Sequence, residues 1–198
     1  MFDQVEQFEK EIALFYNAPY AVAVDCCTHA IELSLLYTDT KAATCPTRTY
    51  ISIPFTFKKL GIKWAFDDYH WKDYYFLGNT NIVDAAVYWK KEGYIPNTFM
   101  CLSFQFKKHL NLGRGGAILC DSHTDYIELK KLSYDGRIPN IPWANQDISS
   151  VGYHYYMTPE TAALGIEKLQ DAIVKEPRVW SQDDYPFLPN MKVFNVHK

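Results

Sequence analysis

Apolar positions along this 198-residue chain follow two rhythms, and the alternation between them predicts the fold. Phe2, Val5, Phe8, Ile12 and Phe15 recur at helical spacing, which predicts an amphipathic helix ending near Asn17. Residues 20–24 (YAVAV) then form a short unbroken apolar run, the pattern of a strand covered on both faces. Ile31, Leu33, Leu35 and Leu36 predict a helix over 28–37. Strands are expected at 42–46, 62–66, 82–85, 98–104 and 116–120, with helices over 50–60 and 126–132. Residues 136–152 carry neither period and read as loop. Thr158 and Pro159 open a further helix: a hydroxyl cap, then a residue whose missing N–H costs nothing in a first turn. Ala162, Ala163, Leu164, Ile166 and Leu169 supply its apolar face.

Short buried strands alternating with helices describe an α/β domain with a mostly parallel sheet, here expected over 1–175. After Lys175 the chain becomes rich in proline and aromatic residues (EPRVWSQDDYPFLPNMKVFNVHK). Residues 176–198 are therefore expected to be an extended arm packed on the domain's surface, not a second domain.

Composition narrows the partners. With 48% hydrophobic residues at this length, the chain can build a core without a metal or a disulfide. Five cysteines without a repeating spacing fit reduced thiols in the cytoplasm. Cys26, Cys27 and His29 lack the second Cys/His pair that a structural zinc site needs, so no metal is expected. The net charge of −3 and the isolation of Lys58-Lys59, Lys90-Lys91 and Lys107-Lys108 argue against a nucleic-acid or anionic-membrane partner. No apolar run reaches membrane-spanning length, and the acidic start lacks a signal-peptide core. The 15 tyrosines suit a wide interior and a surface that pairs with a second subunit.

Four segments at predicted strand ends could carry chemistry. In VDCCTHAIELSL a strand gives way to a helix at Thr28, whose free first-turn N–H groups suit either an anion or an ordinary Thr cap. In IVDAA, Asp84 puts a carboxylate at the end of a buried strand, which calls for a partner such as a protonated heteroaromatic nitrogen, a lysine or a helix N-terminus. In MCLSFQFKKHLNLGRGGAIL, a strand leads into two lysines and then Gly113, Gly115 and Gly116, which permit a sharp turn and close approach to a ligand. A desolvated lysine there becomes nucleophilic; a solvated one is only a surface group. GYHYYMTPETAALG is an aromatic loop opening the late helix.

Together and in this order, the four segments resemble the DegT-type (DegT/DnrJ/StrS) family of pyridoxal-phosphate-dependent nucleotide-sugar aminotransferases. The likeness runs from FEKEIALFYNAPYAVAV to LGIEKLQDAI. It implies a fold-type-I large domain, a three-layer α/β/α arrangement, with pyridoxal 5′-phosphate (PLP) as cofactor. It also implies a symmetric homodimer with shared active sites. By this resemblance Cys27, Thr28 and His29 occupy the phosphate-binding turn and Ser103 contacts the same phosphate. Tyr50 stacks on the pyridine ring, Asp84 keeps its nitrogen protonated, and Lys108, not Lys107, holds the cofactor as a Schiff base. His154 matches an asparagine that reaches the phosphate from the partner subunit. The implied reaction moves an amino group, typically from glutamate, to a nucleotide-linked keto sugar.

The sequence departs from the family at Cys27 (glycine there), Val87 (His or Gln), His154 (asparagine) and Tyr156 (arginine). Family members are also roughly twice this length, so the arm stands where a C-terminal small domain would begin. A degenerate cofactor-binding or interaction protein of the same fold is therefore the alternative to an aminotransferase. A sugar dehydratase is disfavoured, because those relatives carry histidine in place of the lysine, and His109 is one position too late.

Overall fold

The computed structural model of the protein describes residues 2–195, and within them helices and strands alternate much as the periodicities predict. The order is α1 (Asp3–Tyr16), β1 (Tyr20–Val24), α2 (Cys27–Tyr37), β2 (Ala42–Pro46), α3 (Ser52–Leu60), β3 (Lys63–Asp67), β4 (Tyr75–Phe76), β5 (Ile82–Asp84), β6 (Phe99–Ser103), β7 (Gly116–Cys120), α4 (His123–Ser133) and α5 (Pro159–Val174). Local chemistry sets the ends. Asn17 adopts the left-handed conformation (φ 56°) that closes α1. Ser122 and Thr158 cap α4 and α5 by accepting from Asp125 N and Thr161 N. The Ser122 cap starts α4 three residues before the predicted 126, where apolar periodicity begins.

The central sheet has the order β1-β7-β6-β5-β4, with a separate pair β2-β3. In the central sheet only β5 and β6 run parallel; β1/β7, β6/β7 and β4/β5 are antiparallel. The α/β reading holds, but the sheet is mixed, not mostly parallel. The β4–β5 link, residues 77–81, is too short for a crossover, so the chain returns antiparallel there, whereas the longer stretch 85–98 lets β6 lie parallel to β5.

Alternation along each strand divides the core. Ala21, Ala23, Met100, Leu102, Ala117 and Leu119 face α1 and α5. Val22, Val24, Cys101, Ile118 and Cys120 face α2, α3 and α4. Three layers result, with helices covering both faces, as the unbroken apolar runs require. Beside edge strand β1, Glu9 of α1 is 3% exposed and accepts from Lys130 Nζ of α4 at 2.8 and 3.1 Å and from Ala23 N at 2.7 Å.

Beyond α5 the chain docks along the β2-β3 side. Trp180 O accepts from Asp73 N at 3.0 Å, and Leu188 N donates to Thr47 O at 2.9 Å. Phe194 packs edge-on against Trp64 and Phe66. The arm contains only short 3-10 turns, at Gln182–Asp184, Leu188–Asn190 and Lys192–Phe194. Residues 196–198 of the expected arm lie outside the described residues.

Candidate active site

A cleft of about 960 Å³ opens where the carboxyl ends of β1, β5 and β6 meet the N-terminus of α2. This is where α/β sheets present their ligands, because loops diverge there and helix N-termini point inward. Of the eight residues singled out in the sequence, Cys27, Thr28, Tyr50, Asp84, Ser103 and Lys108 line the cleft. His29 and His154 do not.

Asp84 ends β5 and is 6% exposed. Its Oδ2 accepts from the Tyr75 hydroxyl and its Oδ1 from Ala86 N at 3.0 Å. The Tyr75 hydroxyl also meets the Thr49 hydroxyl, so the carboxylate is tied through β4 to the segment before α3. Burial lifts the Asp84 carboxyl above its ordinary range, against the pull of Tyr75, Ala86 N and the charge of Lys108. The Tyr75 phenol is driven well up, by burial first and then by Asp84. Two-residue β4, paired antiparallel to β5, delivers Tyr75 opposite Asp84. Sequence reading missed that partner, because two residues carry no period.

Lys108 sits in the β6–β7 connection. Phe104 N and Phe106 N donate to Gly115 O and Gly113 O, and Lys108 N closes a turn onto Gln105 O at 2.7 Å. Burial lowers the Lys108 ammonium below its ordinary range, although Asp84 and Cys27 oppose this. A lysine so disposed reaches its neutral, nucleophilic form more readily than a solvated one. Its Nζ stands 5.2 Å from the Trp180 ring centre. Lys107 also lines the cleft, with no such contact to Trp180.

The glycines divide their work differently from the expectation of a sharp, ligand-hugging turn. Only Gly113 of the three has a left-handed backbone (φ +77°). A Cβ on Gly116 would lie 2.6 Å from Cys26 C and Cys27 N and 2.9 Å from Leu102 O. Gly116 thus admits the start of α2 against the sheet, and Gly115 packs on Phe104 and Met157.

At the N-terminus of α2, Cys26 occupies the cap position with an extended backbone and makes no side-chain cap bond, so no side chain of the cap occupies the first-turn N–H groups. Thr28 Oγ1 lies 2.8 Å from Ser52 Oγ. Cys27 is buried with its Sγ 3.6 Å from Cys101 O, and burial pushes its thiol far up, so it behaves as a packing group. Ser103 Oγ accepts weakly from Gln105 N at 3.4 Å.

His29 points elsewhere. It donates from Nδ1 to Asp25 Oδ1 at 2.6 Å and stacks on Tyr155 with ring centres 3.6 Å apart. Arg114 donates to the other Asp25 oxygen at 2.7 Å. Burial works against the imidazolium, but the hydrogen bonds and charges of Asp25 and Cys26 prevail and push His29 up to about 9. Ligand atoms of Asp25, Cys26 and His29 lie within 4.8 Å of one another. A guanidinium on Asp25 and a protonated His29 make this an ion-pair chain, the wrong setting for a cation. His154 is 67% exposed and bonded to Asp135 at 2.9 Å, away from the cleft. The arm supplies what sequence reading did not assign: Arg178, Trp180, Asp184 and Tyr185 form one wall.

Comparison with known proteins converges on one family. The model of the DegT/DnrJ/EryC1/StrS aminotransferase family matches residues 1–77 and 81–175. Among solved structures, AtS13 from Actinomadura melliaura is similar at TM-score 0.74 and 17% identity, over 85% of this chain and 60% of its own. Spr1654 from Streptococcus pneumoniae, provisionally described as a sugar aminotransferase and solved in a PLP-form, gives 0.71 and 17%, over 85% and 59%. The 3-amino-5-hydroxybenzoic acid synthase gives 0.69 and 20%, over 85% and 56%. At these identities the likeness establishes the fold, and the chain spans less than two thirds of those structures. No curated protein matches the chain in sequence.

Proposed function

The chain belongs to the DegT/DnrJ/EryC1/StrS aminotransferase family, and from that premise we propose that it is a PLP-dependent aminotransferase acting on a nucleotide-linked keto sugar, with glutamate as amino donor. PLP is the cofactor that goes with this membership. The chain's residues fit it: a buried carboxylate and a desolvated lysine face one cleft beside an open helix N-terminus. That pairing of Asp84 with Lys108 is the observation that carries the reading.

When bound, PLP supplies an electron sink for charge developing at the substrate's α-carbon. Lys108 Nζ would hold the cofactor covalently, then take and return the proton at that carbon. Asp84 would hold the proton on the pyridine nitrogen, and Tyr75 and Ala86 N keep the carboxylate oriented for it. Tyr50, 59% exposed at the cleft mouth, would cover the ring. The first-turn N–H groups at Cys27, Thr28 and His29, with the Thr28 and Ser103 hydroxyls, would receive the phosphate. His29 contributes through its backbone, since its ring is engaged by Asp25.

We assign 1–175 as the PLP-binding large domain and 176–198 as an arm in the position of a small domain. His154 belongs, in this reading, to the partner's site in a symmetric homodimer. Exposed Tyr50 and Phe106 both line the cleft, where a second subunit would cover them. Sedimentation of the PLP-loaded chain should give a dimer; a loaded monomer refutes the shared site. The reaction is tested by incubating the loaded chain with glutamate. Release of 2-oxoglutarate with a change in the cofactor's absorbance is expected, and an unchanged spectrum would leave the degenerate binder in its place.

A further inference from the structure

A smaller cavity, of about 300 Å³, adjoins the cleft at Lys108 and is lined by Lys107, Lys108, His109, Arg178 and Trp180. None of these residues carries a carboxylate, and the cavity sets the Lys107 and Arg178 side chains beside one indole. Arg178 and Trp180 belong to the arm, beyond the residues matched by the family model. We propose that this cavity is an anion subsite built by the arm, taking a carboxylate or phosphate on a substrate whose reacting end lies at Lys108. The proposal rests on the reading of Lys108 given above and names what holds the other end of the molecule.

Four geometric observations support it. The Arg178 guanidinium lies over the Trp180 ring, 4.1 Å from its centre, which holds it at the cavity wall. Asp184 engages one of its terminal nitrogens, leaving the rest of a five-donor fork for a second anion. His109 Nε2 donates to Ala172 O at 2.8 Å, which pins the lysine-bearing turn to α5 just before the arm departs. Lys107, Lys108, Arg178 and Trp180 line both cavities, so the subsite is continuous with the cleft and an anion held here keeps its carrier within reach of the reacting group.

The test titrates the full, PLP-saturated chain at constant ionic strength with succinate, a dicarboxylate that cannot react, and separately with inorganic phosphate. Binding is read by tryptophan fluorescence and calorimetry. In the proposed function PLP fills the α2 turn of this preparation, and the variants below assign any remaining anion binding to Arg178 and Lys107. Arg178→Gln should weaken the bound anion about tenfold or more, the loss expected for a charge-assisted pair. Asp184→Asn, which removes the internal competitor, should tighten it. Lys107→Gln, on the turn and not the arm, should weaken it even if Arg178→Gln loosens the arm. Saturation by succinate identifies a carboxylate site, and saturation by phosphate alone a phosphate site. No saturable binding by either, or equal affinities in parent, Arg178→Gln and Lys107→Gln, overturns the subsite. Failure of PLP to load is seen by absorbance before any anion is added, and counts against the proposed function instead.

Discussion

Replacing Gly116 by alanine tests how the sheet holds the start of α2. Gly116 has no left-handed backbone, so the substitution adds no conformational strain. Its whole effect comes from a methyl group placed 2.6 Å from two backbone atoms of Cys26 and Cys27 and 2.9 Å from Leu102 O. Backbone atoms cannot swing aside like a side-chain tip, so the cost should fall at the upper end of overpacking, about 3 kcal/mol. For a chain of this size that lowers Tm by roughly 6–12 °C. Gly113 is the control in the same connection: nothing lies within 4 Å of its added Cβ, but its φ is +77°. Gly113→Ala should cost only about 1 kcal/mol, through backbone conformation alone. Because α2 must retreat in Gly116→Ala, PLP affinity should fall there and stay near the parent's in Gly113→Ala. Thermal melts and PLP titrations of both variants decide it. A Gly116→Ala protein melting as the parent does, or a Gly113→Ala protein that is the weaker of the two, would refute this account.

Three further outcomes follow from the same coordinates. Lys130→Met leaves the Glu9 carboxylate buried without its cation and should cost about 3–5 kcal/mol in urea denaturation, whereas Glu9→Met with Lys130→Met should recover most of that; equal losses in single and double variants would contradict a buried pair. Tyr75→Phe removes a donor from buried Asp84 and should cost about 1–3 kcal/mol, read as a lower urea midpoint; an unshifted midpoint would mean the bond is not made. His29 is raised from 6.5 to about 9, so its tie to Asp25 stabilises fully below pH 6.5 and fades as pH rises through about 9. The contribution is on the order of 2 kcal/mol after screening at this partly open site. The Tm advantage of the parent over His29→Gln should therefore shrink between pH 6 and 9.5, and a constant difference would rule the linkage out.

Strands β1 and β7 were legible to the residue, because an unbroken apolar run closed by an aspartate (Asp25, Asp121) marks a strand covered on both faces. Pairing direction was not, since an apolar run records burial and not its neighbour. Asp84, Ser103 and Lys108 stand at or just beyond strand ends, where position in the chain translates into position at the cleft, but it was the family resemblance that singled out Ser103 and chose Lys108 over Lys107. The ring of His29 was not legible: the resemblance implied a phosphate turn there, but Asp25 four residues earlier and Tyr155 far along the chain claim its ring. The arm was recognised as an arm from its prolines and aromatics. Its wall of Arg178, Trp180 and Tyr185 depends on long-range docking to Asp73, Thr47 and Arg48, which no local pattern encodes.

The central claim is that Lys108 holds PLP, and absorbance spectra of the purified chain with added PLP test it most directly. The account predicts a band at the edge of the visible range that is lost in Lys108→Ala and retained in Lys107→Ala. A band that survives Lys108→Ala, or one that disappears only in Lys107→Ala, would contradict it.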